Sequence, residues 1–370
     1  TYDRELEDIF VIQDEIAGHI VEALKLTLDL GANAPPTADL DSYTLFLQGR
    51  ELLRKRDVES LLNARQKLEE ATDRDPAFAD AWALRAMVEI VLPGYIKEPY
   101  ENYEPAARDY ARRALALDPA HPEALLALGQ ANTVMGASAE ALSSLEAVVA
   151  THPTHSTGQL WLAISLLEAG YVEKAFEHIS LARESDPVHG TILDWYARIA
   201  QTAGRPELVV PTAERALQLG RPQARVALHQ HFLEEGDRED LAPYVEGESE
   251  LVWGWMLRSF DLRDDPSMLD TTLAWVDEAE AAGAGFFAEY MRGNFFQVAG
   301  TPQQMFDQFT LIQAVDDTIK TSVWTNLGQR HRQSPAMKTW VADMGYQALW
   351  RERGWPDLCR PVGDDDFECD

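Results

Sequence analysis

The chain has 370 residues, too many for one conventional core, so it divides into domains or forms an extended repeat array. It is 46% hydrophobic and 25% charged, with 10 Trp, 13 Phe and 11 Tyr, a composition that excludes intrinsic disorder. Its 62 acidic residues against 32 basic ones give a net charge of -30, which repels phosphate backbones and argues against direct nucleic-acid binding. The acid excess serves solubility first, and a basic protein or peptide partner is the sharper alternative.

Residues 1–34 carry the first predicted element. Ile9, Ile12, Ile16, Ile20, Leu24 and Leu28 step by three or four and write one apolar stripe on a helix. "GANAPPTADLDS", with Gly31, Pro35 and Pro36, then breaks it. Such a stripe needs a surface to cover it, either the first repeat or a domain preceding it. The apolar runs "LVWGWML" and "AAGAGFFA" are too short for a membrane span, which takes about 20 residues.

Residues 35–221 are periodic. Pro76, Pro119, Pro153 and Pro187 are separated by 43, 34 and 34 residues, and Gly136, Gly170 and Gly204 by 34 twice over. Ala107, Ala141 and Ala175 keep the same spacing. Glycine supplies a turn, alanine lets helices approach, and proline stops the second helix, so each period predicts a helix, a turn, a helix and a stop. The clearest units are "PEALLALGQANTVMGASAEALSSLEAVVATHP" and "LWLAISLLEAGYVEKAFEHISLARESDP". The first unit departs through a turn, "RKRDVES", about three residues long for the pattern. The second carries "VLPGYIKEP", nine extra residues read as a surface loop on a face that often binds.

Residues 222–334 are predicted as degenerate repeats. "ARVALHQHFLEEGDREDLAPYVEG" retains Gly236, and "FFAEYMRGNFFQVAGTPQQMFDQFTLI" reads as helix, turn and helix. Residues 335–370 predict a cap, with Trp340, Val341, Met344, Leu349 and Trp350 at helical spacing covering the last apolar face. The closing "GDDDFECD" reads as a solvated acidic tail in which Phe367 is an alternative anchor. Cys359 and Cys369 have no zinc framework around them, and whether they pair is left open.

The small-residue positions and the 34-residue period resemble the tetratricopeptide repeat. That resemblance implies an all-α solenoid of about six to eight hairpins, a right-handed superhelix with degenerate C-terminal repeats and a capping helix. It also implies a concave groove lined by the first helices, at Glu123, Leu126 and Gln130, then Thr157, Leu160 and Ile164, then Thr191, Asp194 and Arg198. The opening "YDRELEDIFVIQDEIAGHIVEALKLTL", the Pro-rich joint and "YTLFLQGRELLRKR" further resemble the join in bacterial multi-domain regulators, where a TolB-like domain leads into such repeats. In those proteins the upstream modules are winged-helix domains, nucleotide cyclases or kinases. The resemblance implies that Thr1 follows a missing domain, that the repeats bind a protein or peptide, and that occupancy biases an upstream output. It leaves the compartment open between cytoplasm and periplasm.

Catalytic constellations do not emerge. His152 and His155 flank a stop proline and are expected in an exposed loop, while His229 and His231 are two apart and point to different helix faces. The pairs Asp264 with Asp265 and Asp277 with Glu278 read as solvated faces. These residues predict no enzyme, cofactor or metal. Two rival readings are a scaffold that self-associates through the N-terminal stripe and an enzyme whose pocket lies in the degenerate second half.

Overall fold

The computed structural model describes residues 37–131, 139–247, 249, 253–312, 317–363 and 365–370. The predicted N-terminal stripe and Gly136 lie outside them. The helices pair in sequence order as hairpins: α1 (Leu40–Lys55) with α2 (Val58–Arg74), α3 (Ala79–Ile96) with α4 (Glu104–Leu117), and α5 (Pro122–Ala131) with α6 (Ala139–Thr151). There follow α7 (Ser156–Glu168) with α8 (Val172–Ser185), α9 (Gly190–Thr202) with α10 (Val209–Gln218), and α11 (Arg225–Glu235) with α12 (Arg238–Val245). Helices α13 (Trp255–Asp264), α14 (Leu269–Ala279), α15 (Phe286–Ala299) and α16 (Pro302–Ile312) continue the array. Short helices α17 (Gln329–Arg332), α18 (Pro335–Asp343) and α19 (Tyr346–Arg353) lead to an antiparallel pair, β1 (Cys359–Val362) and β2 (Asp366–Cys369).

The fourth hairpin shows how the sequence writes each unit. His155 caps α7 through Nδ1, which accepts from the Gly158 amide, Gly170 turns the chain at φ 87°, and α8 ends before Pro187. Ala107, Ala141 and Ala175, one per repeat, are all buried between helices. A close approach is also built into α1, where a Cβ on Gly49 would lie 2.7 Å from Leu68.

Two readings of the early repeats need correction. The extra residues of the first unit do not form a long turn, because Lys55 ends α1 and Asp57 already caps α2. The residues "VLPGYI" are not a surface loop either; they extend α3 to Ile96, with Pro93 inside the helix. Burial of Met87, Val88, Ile90, Val91, Leu92 and Pro93 outweighs the local cost of a helical proline, about 3 kcal/mol.

The C-terminal segment also differs from a simple cap. It covers α16 through Phe306 and Trp340, whose rings stack at 5.2 Å, and then folds back onto the α7–α8 turn. Trp324 Nε1 donates to the Glu168 carbonyl at 3.1 Å, Trp350 Nε1 to the Ala169 carbonyl at 2.9 Å, and Tyr171 OH to the Gly354 carbonyl at 2.7 Å. Arg353 grips both oxygens of Glu146 at 2.9 Å. The acidic end is a hairpin strand rather than a solvated tail: Phe367 is 3% exposed against Trp350 and Trp355, and Lys338 holds Asp366 at 2.6 Å. The hairpin register sets Cys359 opposite Cys369, and a disulfide joins them.

Candidate functional site

The array curls until distant repeats touch across its hollow. Arg54 of α1 reaches Asp186 at 2.9 Å, and Tyr95 of α3 accepts from Arg221 Nη1 at 2.9 Å. Tyr95 and Arg221 also line a cavity of about 500 Å³, walled by α3, α7, α9 and the later helices. Aromatic rings make much of the wall: Tyr95, Trp161 and Trp195 from the earlier repeats, and Trp253, Trp255 and Tyr290 from the later part of the chain.

Of the nine groove positions expected from the repeat resemblance, Gln130, Leu160, Ile164, Thr191 and Arg198 line this cavity. The other four do not. Leu126 is fully buried in the core. Thr157 is half-buried outside the lining. Glu123 accepts from His155 Nε2 at 3.0 Å across the α5–α7 junction, so His155 is a helix cap bonded to a carboxylate rather than a loose loop residue. Asp194, fully buried behind the wall, binds Arg198 Nε at 2.8 Å and Arg221 Nε at 3.1 Å.

The cavity wall is more balanced in charge than the whole chain, with Arg56, Lys97, Arg198 and Arg221 beside Asp57, Glu89, Glu104 and Glu168. Arg198 and Arg221 share the single carboxylate of Asp194, and Arg56 supplies a third guanidinium to the wall. Burial pulls the Arg56 pKa below its usual range, and the like charge of Arg221 adds to the effect against opposing influence from Tyr95. Burial likewise raises the Glu89 carboxyl, although Arg65 donates to its Oε1 at 2.8 Å. Sequence reasoning missed Arg56. The signal was present: "LLRKRDVE" matches "LLEAGYVE" position for position, placing Arg56 where the fourth hairpin has its turn glycine, Gly170.

His229 and His231 do face different ways. His229 sits edge-on to Trp255 at 4.9 Å, and His231 Nδ1 lies 2.9 Å from Gln201 Oε1. Burial pushes the His229 pKa down to about 3 and those of His189 and His331 to about 4. The unfolded chain therefore takes up protons near pH 6.5 that the native one refuses, so the stability these groups contribute is complete above that pH and is lost as pH falls. We expect a slope of about 1.4 kcal/mol per pH unit for each such histidine. Urea unfolding of His229→Leu should show a shallower decline between pH 6.5 and 4; an unchanged slope would remove His229 from the account. Among the described residues, no group of three or more His, Cys, Asp or Glu side chains gathers as a metal site. No described helix is long and apolar enough to cross a membrane.

No family model matches the chain. A protein named putative adenylate cyclase 3, from Rhizobium meliloti (strain 1021), is 32% identical over 120 residues, which is 31% of this chain and 19% of that protein. The chain thus spans about a fifth of that relative's length. Among solved structures, a thermophilic TPR protein of Thermus thermophilus is 21% identical, with 43% of this chain and 87% of that one covered at a TM-score of 0.34. Yeast Tom70 is 12% identical, with 87% and 67% covered at a TM-score of 0.43. Pseudomonas aeruginosa PilF is 18% identical, with 56% and 89% covered at 0.38. These superpositions are partial, whereas the 34-residue period and the consecutive helix–turn–helix pairs belong to this chain itself. On that internal geometry, the chain folds as an all-α solenoid of tetratricopeptide-type helical hairpins.

Proposed function

We propose that this chain is the recognition part of a larger signalling or transcriptional regulator, in which occupancy of the inner face by a protein or peptide partner biases an output domain elsewhere. The reading rests on one observation above all: first helices from successive repeats bring Gln130, Leu160, Ile164, Thr191 and Arg198 to the wall of one cavity. The cyclase-named relative and the resemblance of the N-terminal segment to regulator joints support the larger setting. Occupancy transmits a signal only if the ligand discriminates between two states of the array, and contacts such as Arg54 with Asp186, which join distant repeats, are the ones a second state would change.

Selection from a randomised peptide pool, followed by calorimetry on the selected sequences, tests the recognition role. Gln130→Ala combined with Trp161→Ala, checked for native helicity by circular dichroism, should weaken binding by roughly tenfold or more, about 1.4 kcal/mol. Selected peptides that bind this double variant as tightly as the native chain would remove the inner face from the reading.

A further inference from the structure

We propose that the cavity is a binding site for a small organic acid, a free molecule whose single carboxylate seats on Arg56 and whose apolar body lies against the aromatic wall. The inference rests on the reading of the inner face as the recognition surface, and goes beyond it by naming a ligand chemistry.

Arg56 carries the argument. It is 8% exposed, lines the cavity, and makes no hydrogen bond or ion pair among the described residues; its Nε is buried without a partner. The nearby carboxylates are engaged elsewhere: Asp194 serves Arg198 and Arg221, Asp57 caps Ser60, Glu89 binds Arg65 and Glu104 binds Arg108. A buried cation without an anion is disfavoured unless something else supplies the charge. Two more donors on the same wall also lack partners, Thr191 Oγ1 and Trp161 Nε1.

Backbone conformation points to the same place. Among the described residues, Arg56 and Lys97 are the non-glycine residues with positive φ, at 56° and 60°, and both line the cavity. Glycine takes this conformation without strain at Gly170 and Gly204, whereas Arg56 and Lys97 hold it against the steric preference of an L side chain.

The shape and charge of the wall narrow the ligand. Trp161, Trp195, Trp253 and Trp255 offer flat apolar surface. Asp57, Glu89 and Glu104 on the same wall would oppose a multiply charged anion, which favours one carboxylate over a phosphate. A cavity of about 500 Å³ takes a compact molecule whole, and a peptide by an inserted end or side chain.

The test titrates the full chain with 3-phenylpropionate and 3-phenylpropanamide, and with the tetrapeptide Gly-Gly-Ala-Phe as free acid and as amide. Calorimetry and the fluorescence of the wall tryptophans give the readout. The expected result is saturable binding of 3-phenylpropionate, roughly tenfold or more tighter than its amide. Arg56→Gly should abolish that preference while thermal unfolding stays as high as in the native chain, and Arg56→Lys should restore part of it. Equal binding of acid and amide, no binding of the acid up to millimolar concentration, or an unaltered affinity in a folded Arg56→Gly variant would each overturn the proposal. Tighter, Arg56-dependent binding of the free-acid tetrapeptide than of 3-phenylpropionate would overturn the free-molecule assignment in favour of a peptide end. If selected peptides bind through Gln130 and Trp161 while Arg56→Gly changes nothing, the recognition reading survives and the acid site does not.

Discussion

Asp194→Ala is expected to lower the unfolding free energy by about 3–5 kcal/mol, because it leaves two guanidiniums in the interior without their shared anion. Asp194 is fully buried and takes Arg198 Nε at 2.8 Å and Arg221 Nε at 3.1 Å. Arg221 in turn donates to Tyr95 OH at 2.9 Å, so one carboxylate orients the side chain that joins the α3 extension to the turn after α10. Burial alone works against the charge of Arg221, yet Tyr95 and Asp194 together hold its pKa above the usual value. Equilibrium urea unfolding at neutral pH measures the effect. A loss below about 1 kcal/mol would mean that water or a rearranged acid replaces Asp194, and the buried network would then have no structural weight. Asp194→Asn keeps an acceptor oxygen but not the charge, and should fall between the native chain and the alanine variant.

Gly170→Ala carries the second large effect, and it isolates the docking of the C-terminal segment. The new Cβ would lie 2.8 Å from two atoms of the Trp324 ring and 3.0 Å from Pro356, at a backbone φ of 87°. The left-handed conformation costs an alanine about 1–2 kcal/mol, and overpacking against an indole fixed by its own hydrogen bond adds about 1–3 kcal/mol. Gly204→Ala is the matched control, since Gly204 also has positive φ, at 69°, but a Cβ there meets nothing within 4 Å. The difference between the two variants measures the docked interface. Limited proteolysis should cut the segment after Ile312 faster in Gly170→Ala than in Gly204→Ala. Equal destabilisation and equal cleavage would show that Trp324 moves aside without consequence.

Most of the helical array was legible because its determinants are local. A glycine at the turn, an alanine at each close approach and an Asp-Pro stop act within one hairpin, so their 34-residue spacing could be counted directly. Where local rules failed, packing overrode them. Pro93 and Gly94 read as a loop, yet an apolar run around them stays helical because every face of α3 finds cover. The acidic end read as solvated, yet Phe367 and a disulfide hold it on the protein, since one aromatic ring with an apolar seat outweighs neighbouring carboxylates that remain at the surface.

The candidate site divides in the same way. Gln130, Leu160, Ile164, Thr191 and Arg198 could be nominated from helix position within a repeat. Arg56 could not be nominated from its own unit; only its match to Gly170 three hairpins later exposes it as a side chain held in a glycine conformation.

By itself, the sequence determined that this protein is a stack of helical hairpins, because hairpins are specified by residues a few positions apart. Only the tertiary structure decided that the hollow closes to a cavity and that the C-terminal segment returns to the fourth hairpin. Those features depend on contacts between residues more than a hundred positions apart, such as Tyr95 with Arg221 and Trp350 with Ala169. No periodic mark announces such pairs, since each is a single meeting of unlike surfaces fixed by the accumulated rotation of every hairpin between them.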